Sequence, residues 1–205
     1  PAHDPPRPVH ATEPNQIGEK RLWVHKDVSA THLLIAYHAP EARSPEYYAL
    51  DILASILSEG KSSRLVRSLV DTRQVAVEVS ADCPRSFDRN LFCISAVAAP
   101  RVTAEALEKA IEKEIRAVIT QGVTDRELAA CRNRKLVQFY RSMETLSGKA
   151  SGLGTYELYF GDWRKLFTAP QAYRQVTARD VRAVAARYLV PNNRTVGILC
   201  PEKDP

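Results

Sequence analysis

The sequence predicts an α+β fold, a single antiparallel sheet with helices packed against it. Three observations carry this. Segments of period-two hydrophobicity come in pairs joined by short links. The helical segments are grouped together rather than alternating with strands. The element order is therefore β-β-α-α-β-β, then a run of helices, then a last β, which is the α+β pattern and not the doubly wound one. The 205 residues are 44% hydrophobic and 26% charged, the balance of an ordinary globular chain. No apolar run approaches the ~18 residues that span a bilayer.

The elements follow in order. Residues 1–15 form a Pro-rich linker, with four prolines among the first eight residues, and 16–205 form the folded domain. With no initiator Met, the chain reads as a piece of a longer or processed protein. Gly18 to Lys26 and Thr31 to His38 read as strands, the second with Leu33, Ile35 and Tyr37 on one side. The short Asp27–Ala30 link suggests a hairpin. Ser44-Pro45-Glu46 opens a helix whose Leu50, Leu53 and Leu57 form a wide apolar face, and Gly60 suits its C-terminal turn. Ser62 or Ser63 can cap a second helix carrying Leu65, Val66 and Leu69.

Ala76 to Cys83 and Leu91 to Ala99 are the next strands. Thr103 to Gln121 is an amphipathic helix through Leu107, Ile111, Ile115 and Val118. Thr124-Asp125-Arg126-Glu127 is a capping box for a long helix, and the small residues from Ser147 to Gly154 imply close helix contact or a break. Asp162 to Gln175 and Thr177 to Leu189 are helices, with Asp162 as a cap and Trp163 anchoring its helix to the core. Arg194 to Cys200 is the final strand.

Residue chemistry yields no self-sufficient active site. Acids interleave with the 29 Lys and Arg, so the net charge of +5 is a surface bias, and no nucleic-acid partner is expected. Gly60-Lys61-Ser62 fails as a phosphate loop, because Ser55 stands where Gly is needed and a helix precedes it. Cys83, Cys93, Cys131 and Cys200 show no paired metal spacing. A hairpin pairing Lys26 with Thr31 sets His25 opposite His32, ~5 Å apart, close enough to share a metal. With no third ligand nearby, the two read as solvated histidines beside a turn.

Several segments together resemble the insulinase/pitrilysin-type zinc peptidases, the inverzincins, and specifically their C-terminal, non-zinc domain. They are Glu13 to Arg21, Tyr47 to Ala54, Gly60-Lys61-Ser62-Ser63-Arg64-Leu65, Gly122 to Leu128, Tyr156-Glu157-Leu158 and Gly161-Asp162-Trp163. Gly60, Ser62, Ser63, Arg64 and Leu65 carry the most specific of them. The resemblance implies one half of a clamshell. The other, N-terminal half carries reversed H-x-x-E-H and the zinc, which polarises the scissile carbonyl. This chain lacks that motif, so no cofactor and no catalytic residue is expected here. The expected partners are the zinc-bearing N-terminal half, or a homologous subunit, and a peptide substrate.

Many family members carry an Arg and, seven residues on, a Tyr that reach the substrate. The matching positions here are Val70 and Val77, which cannot donate hydrogen bonds. The resemblance thus implies a chamber wall facing the zinc half, with Val70 and Val77 as degenerate substrate-facing positions. The alternative is a non-catalytic partner or scaffold subunit whose parent has lost the zinc. A bacterial periplasmic or cell-envelope location is the accompanying expectation.

Overall fold

A computed structural model describes residues 14–202. The expected linker, 1–15, thus lies outside the described residues but for Pro14 and Asn15. Strands β1 (Lys20–Lys26), β2 (His32–Ala39), β3 (Ala76–Asp82), β4 (Asn90–Ala98) and β5 (Arg194–Pro201) form one sheet in the order β1-β5-β2-β4-β3. Helices α1 (Tyr47–Ser58), α2 (Ala104–Gln121), α3 (Asp125–Ser142), α4 (Leu146–Phe160), α5 (Lys165–Gln175) and α6 (Ala178–Tyr188) complete it. The α+β class and the single sheet with helices against it are as the sequence predicts. The sheet is mixed, because β1 runs parallel to β5 while every other pair is antiparallel.

The expected first hairpin does not form. Strand β5 inserts between β1 and β2, and the link after Lys26 spans two strand spacings, ~10 Å, which its five residues reach easily. His25 is therefore opposite Cys200, while His32 lies between Leu199 and Val97. A strand separates the two histidines, and their opposite parity puts them on opposite faces of the sheet.

One face of the sheet is sealed by helices. Leu33, Ile35, Tyr37, Phe92, Ile94, Val196 and Ile198 are buried there against Leu50, Leu53 and Leu57 of α1 and Leu107 and Ile111 of α2. Helix α1 is buried nearly all round, since it packs against β3, α3, α5 and α6. A smaller cluster of Ala42, Tyr156, Phe160, Leu166 and Ala169 holds α4 and α5.

The capping box of α3 is present, with Thr124 accepting from the Glu127 N–H and Glu127 accepting from the Thr124 N–H. Thr177 and Asp180 repeat the device at α6. The long helix expected from Thr124 breaks at Met143–Thr145, and Thr145 caps α4 by accepting from the Gly148 N–H at 3.0 Å. Gly is required there, because a Cβ would lie 1.8 Å from the Ser142 carbonyl oxygen.

Three local expectations are corrected. Helix α1 begins at Tyr47, and Ser44 instead accepts from the Glu46 N–H one turn earlier. Neither motif serine caps the second helix, which is a π-helix over Val66–Thr72 closed by the Arg73 N–H donating to the Ser68 carbonyl; the Ser63 hydroxyl is buried without a partner. Trp163 does not anchor α5 in the core. It is 42% exposed, stacks edge-on with Phe167, and lies beneath the Arg164 guanidinium.

Candidate functional site: the open face of the sheet

The register defines the face that no helix covers. One row across it reads Leu22, Gly197, Leu34, Ser95, Ser80. The row above reads Val24, Leu199, His32, Val97, Glu78, and the row below Lys20, Thr195, Ala36, Cys93, Asp82. A solvated face of a largely antiparallel sheet ordinarily alternates to polar residues. Here the middle of the face is aliphatic, with Leu22 61% and Leu34 46% exposed. Gly197 leaves a dip between Leu22 and Leu34, within a shallow groove of about 450 Å³. At one side of the groove the hydroxyls of Ser80 and Ser95 bond to each other at 2.7 Å, which uses polar capacity that would otherwise face the groove.

The motif residues that carried the resemblance hold the fold. Gly60 ends α1 with φ +88, in the left-handed region. Arg64 donates to both carboxylate oxygens of Glu127, at 2.6 and 2.8 Å, and to the Gly122 carbonyl at 3.0 Å, tying the π-helix to the α2–α3 junction. The Arg64 hydrogen bonds hold the Glu127 carboxyl down at about 2. Leu65 is fully buried, while Lys61 and Ser62 are exposed. In the opening segment, Glu19 and Arg21 join Arg194, Glu108 and Glu112 in an ion network that pins β1 and β5 to α2. Gln16 donates to the Arg194 carbonyl at 2.6 Å. Asp51 accepts from the Tyr173 hydroxyl at 2.6 Å and from Lys135 at 3.0 Å.

Val70 and Val77 flank the junction between the π-helix and β3. Val70 is half-buried against the helix-side core, whereas Val77 is 61% exposed. Val77 is the extra residue of a β-bulge, between Ala76 opposite Ala98 and Glu78 opposite Val97. Gln74, just before, has φ +53, a conformation that favours glycine. The sequence reading missed the open face itself. Its signal was present in β2, where Leu34 and Ala36 make both parities apolar, not only Leu33, Ile35 and Tyr37.

Among the described residues no group of three His, Cys, Asp or Glu side chains could hold a metal ion, and no helix is long and apolar enough to cross a membrane. The fold and the open face define a one-sheet α+β domain that presents an apolar wall rather than a constellation of reactive groups. Residues 1–135 match the family model of the peptidase M16 inactive domain, and the chain belongs to that family, the C-terminal domain of insulinase-type peptidases.

Zinc protease PqqE of Helicobacter pylori is 29% identical over 190 residues, which cover 92% of this chain and 43% of that protein. The crystal structure of a protease from Helicobacter pylori superposes with a TM-score of 0.91 at 28% identity, covering 97% of this chain and 48% of that one. The crystal structure of an inactive peptidase domain from Bordetella parapertussis, 24% identical, has a TM-score of 0.76 and covers 89% of this chain and 96% of its own. The chain thus spans less than half the length of the curated relative it matches, while a domain of its own size and fold has been solved separately.

Proposed function

We propose that this chain is the C-terminal wall of a two-part zinc metalloendopeptidase, in which the open sheet face lines a chamber opposite a zinc-bearing N-terminal half. The single observation that carries the reading is the aliphatic face through Leu22, Leu34, Val97 and Leu199, which folding of this chain leaves uncovered. In this reading the metal belongs to the other half and no chemical step is assigned to this chain; that the described residues offer no set of ligands for zinc is in keeping with it. Its part is to exclude water, close the chamber and hold peptide. The central strands β5, β2 and β4 have neighbours on both sides, so this face meets a peptide with side chains rather than with backbone donors. Val70 and Val77, at the positions where many relatives have Arg and Tyr, would add apolar contact and no hydrogen bond to a developing oxyanion. The reading extends to a bacterial cell-envelope location, which rests on the family resemblance and is checked by fractionating cells that make the full-length protein.

Those two valines favour a second reading, a scaffold subunit whose parent has lost the metal. Metal analysis separates the two. The full-length protein should carry about one zinc and lose peptide cleavage on chelation, as a single catalytic site requires. This chain alone should carry none. A zinc-free full-length protein without peptidase activity would establish the scaffold. Zinc together with cleavage in this chain alone would overturn both.

A further inference from the structure

Beside the β3 end of the sheet, a cleft of about 910 Å³ opens between α1, the end of β3 and the segment after it, and α3, α4 and α5. Its size is that of a small-molecule site. It exists because α4 turns small residues toward it: Gly148, Ser151, Gly152 and Thr155 line one wall. The opposite wall carries Arg85, which follows β3. The Arg85 guanidinium lies 6.0 Å from the centroid of the Tyr47 ring and 5.6 Å from that of Tyr156, so two aromatic faces hold it. Its Nε is buried and has no hydrogen-bond partner.

Asp51 favours the Arg85 charge through space, but no carboxylate pairs with it directly. Among the described residues no carboxylate lies within ion-pair distance of its guanidinium. Asp51, which lines the cleft, is bound by Lys135 at 3.0 Å and by the Tyr173 hydroxyl at 2.6 Å. Glu59 accepts from Ser55 and Gln138, and Lys135 stands 3.7 Å from it. Asp82 lines the mouth, is exposed, and makes no ion pair. Burial holds the Tyr47 and Tyr156 phenols neutral, so neither offers a counter-charge. A half-buried guanidinium with no ion-pair partner and a buried, unpartnered Nε keeps donor capacity free, and the two ring faces offset only part of its lost hydration. A planar oxyanion entering the cleft would find a fork of N–H donors with the matching geometry. The Met143 thioether and the Phe139 ring, both partly buried on the cleft wall, would contact an apolar body attached to it.

We propose that this cleft binds an organic carboxylate, with the oxyanion on Arg85 and an apolar body against Met143 and Phe139. A free small acid and the C-terminus of a short peptide share that chemistry. The proposal stands apart from the peptidase reading, because it concerns the helix side of the domain and needs no cleavage.

Calorimetric titration of the 205-residue chain tests it with four probes: hydrocinnamate and its amide, and the tripeptide Ala-Ala-Phe as free acid and as amide. The expected result is saturable binding of at least one free acid, with the matching amide at least tenfold weaker. Hydrocinnamate alone would identify small acids as the source, and both acids would admit peptide C-termini. Arg85→Gln should weaken the acid at least tenfold. Should that variant fail to fold, Ser151→Trp, at an exposed α4 position on the cleft wall, should block binding to the same extent with Arg85 intact. Equal binding of acid and amide, no binding of either acid, or undiminished acid binding in the variants would overturn the proposal.

Discussion

The two faces of the sheet are built from similar residues and do different work. On the helix side Leu33, Ile35, Phe92 and Ile94 are buried against α1 and α2. On the other side Leu34 and Val97 occupy alternate positions of the same strands, with Leu199 beside them on β5, and Leu34 remains 46% exposed. Hydrophobic burial stabilises the fold only where the chain itself removes the surface from water, at roughly 25 cal/mol per Å². The aliphatic residues of the open face therefore contribute little to folding. An apolar surface that the fold does not use is the usual mark of an interaction site. Local composition does not distinguish the faces, but topology does.

The largest effect should come from the sealed face. Leu53→Ala removes a fully buried side chain from α1 and should cost about 3–4 kcal/mol. Leu34→Ser on the open face should change the stability of this chain by less than about 0.5 kcal/mol. Urea unfolding of both variants checks the contrast, and equal losses would break it.

The two valines give a sharper version at one junction. Val70→Arg pushes a charge toward the helix-side core and should cost about 2 kcal/mol, whereas Val77→Tyr at the exposed bulge should stay within about 0.5 kcal/mol. Thermal melts of the single variants separate them, and a neutral Val70→Arg would move Val70 to the open side.

Next in size is the Arg64–Glu127 tie. Glu127→Gln should cost about 1–2 kcal/mol near neutral pH, allowing for solvent screening of a partly exposed pair. The Glu127 carboxyl is depressed in the folded chain, to about 2 from 4.5. Its contribution is therefore complete above about pH 4.5 and lost as pH falls toward 2. The difference between wild type and Glu127→Gln should shrink over that window, and a constant difference down to pH 2 would contradict a depressed Glu127 carboxyl. A smaller effect, of opposite sign, is expected at Gln74. Gln74→Gly relieves its positive φ and should raise stability by about 0.5–1 kcal/mol in the same melts.

Much of this architecture is legible in the sequence where signals are local. Thr124 with Glu127 and Thr177 both announce their caps, and Gly60 announces the end of α1. The hairpin that the sequence suggests between β1 and β2 gives way to β5, which lies some 170 residues away, and no local pattern encodes that pairing. The π-helix is equally silent, since Leu65 and Leu69 satisfy an α-helical spacing as well. Family motifs such as Arg64 and Glu19 proved to be the joints of the fold. The open face and the Arg85 cleft, in contrast, are made by residues from distant strands and helices. Neither has a contiguous signature, and only the assembled register brings Leu22, Gly197 and Leu34 into one row.

The account stands or falls on what the open face meets in the complete protein. A photo-crosslinking residue placed at Leu34, and for comparison at the exposed Lys109 of α2, tests this in the full-length chain with and without a peptide substrate. The account predicts crosslinks from position 34 to the N-terminal half or to the peptide, and none from position 109. Crosslinks from 109 alone, with position 34 silent, would contradict it.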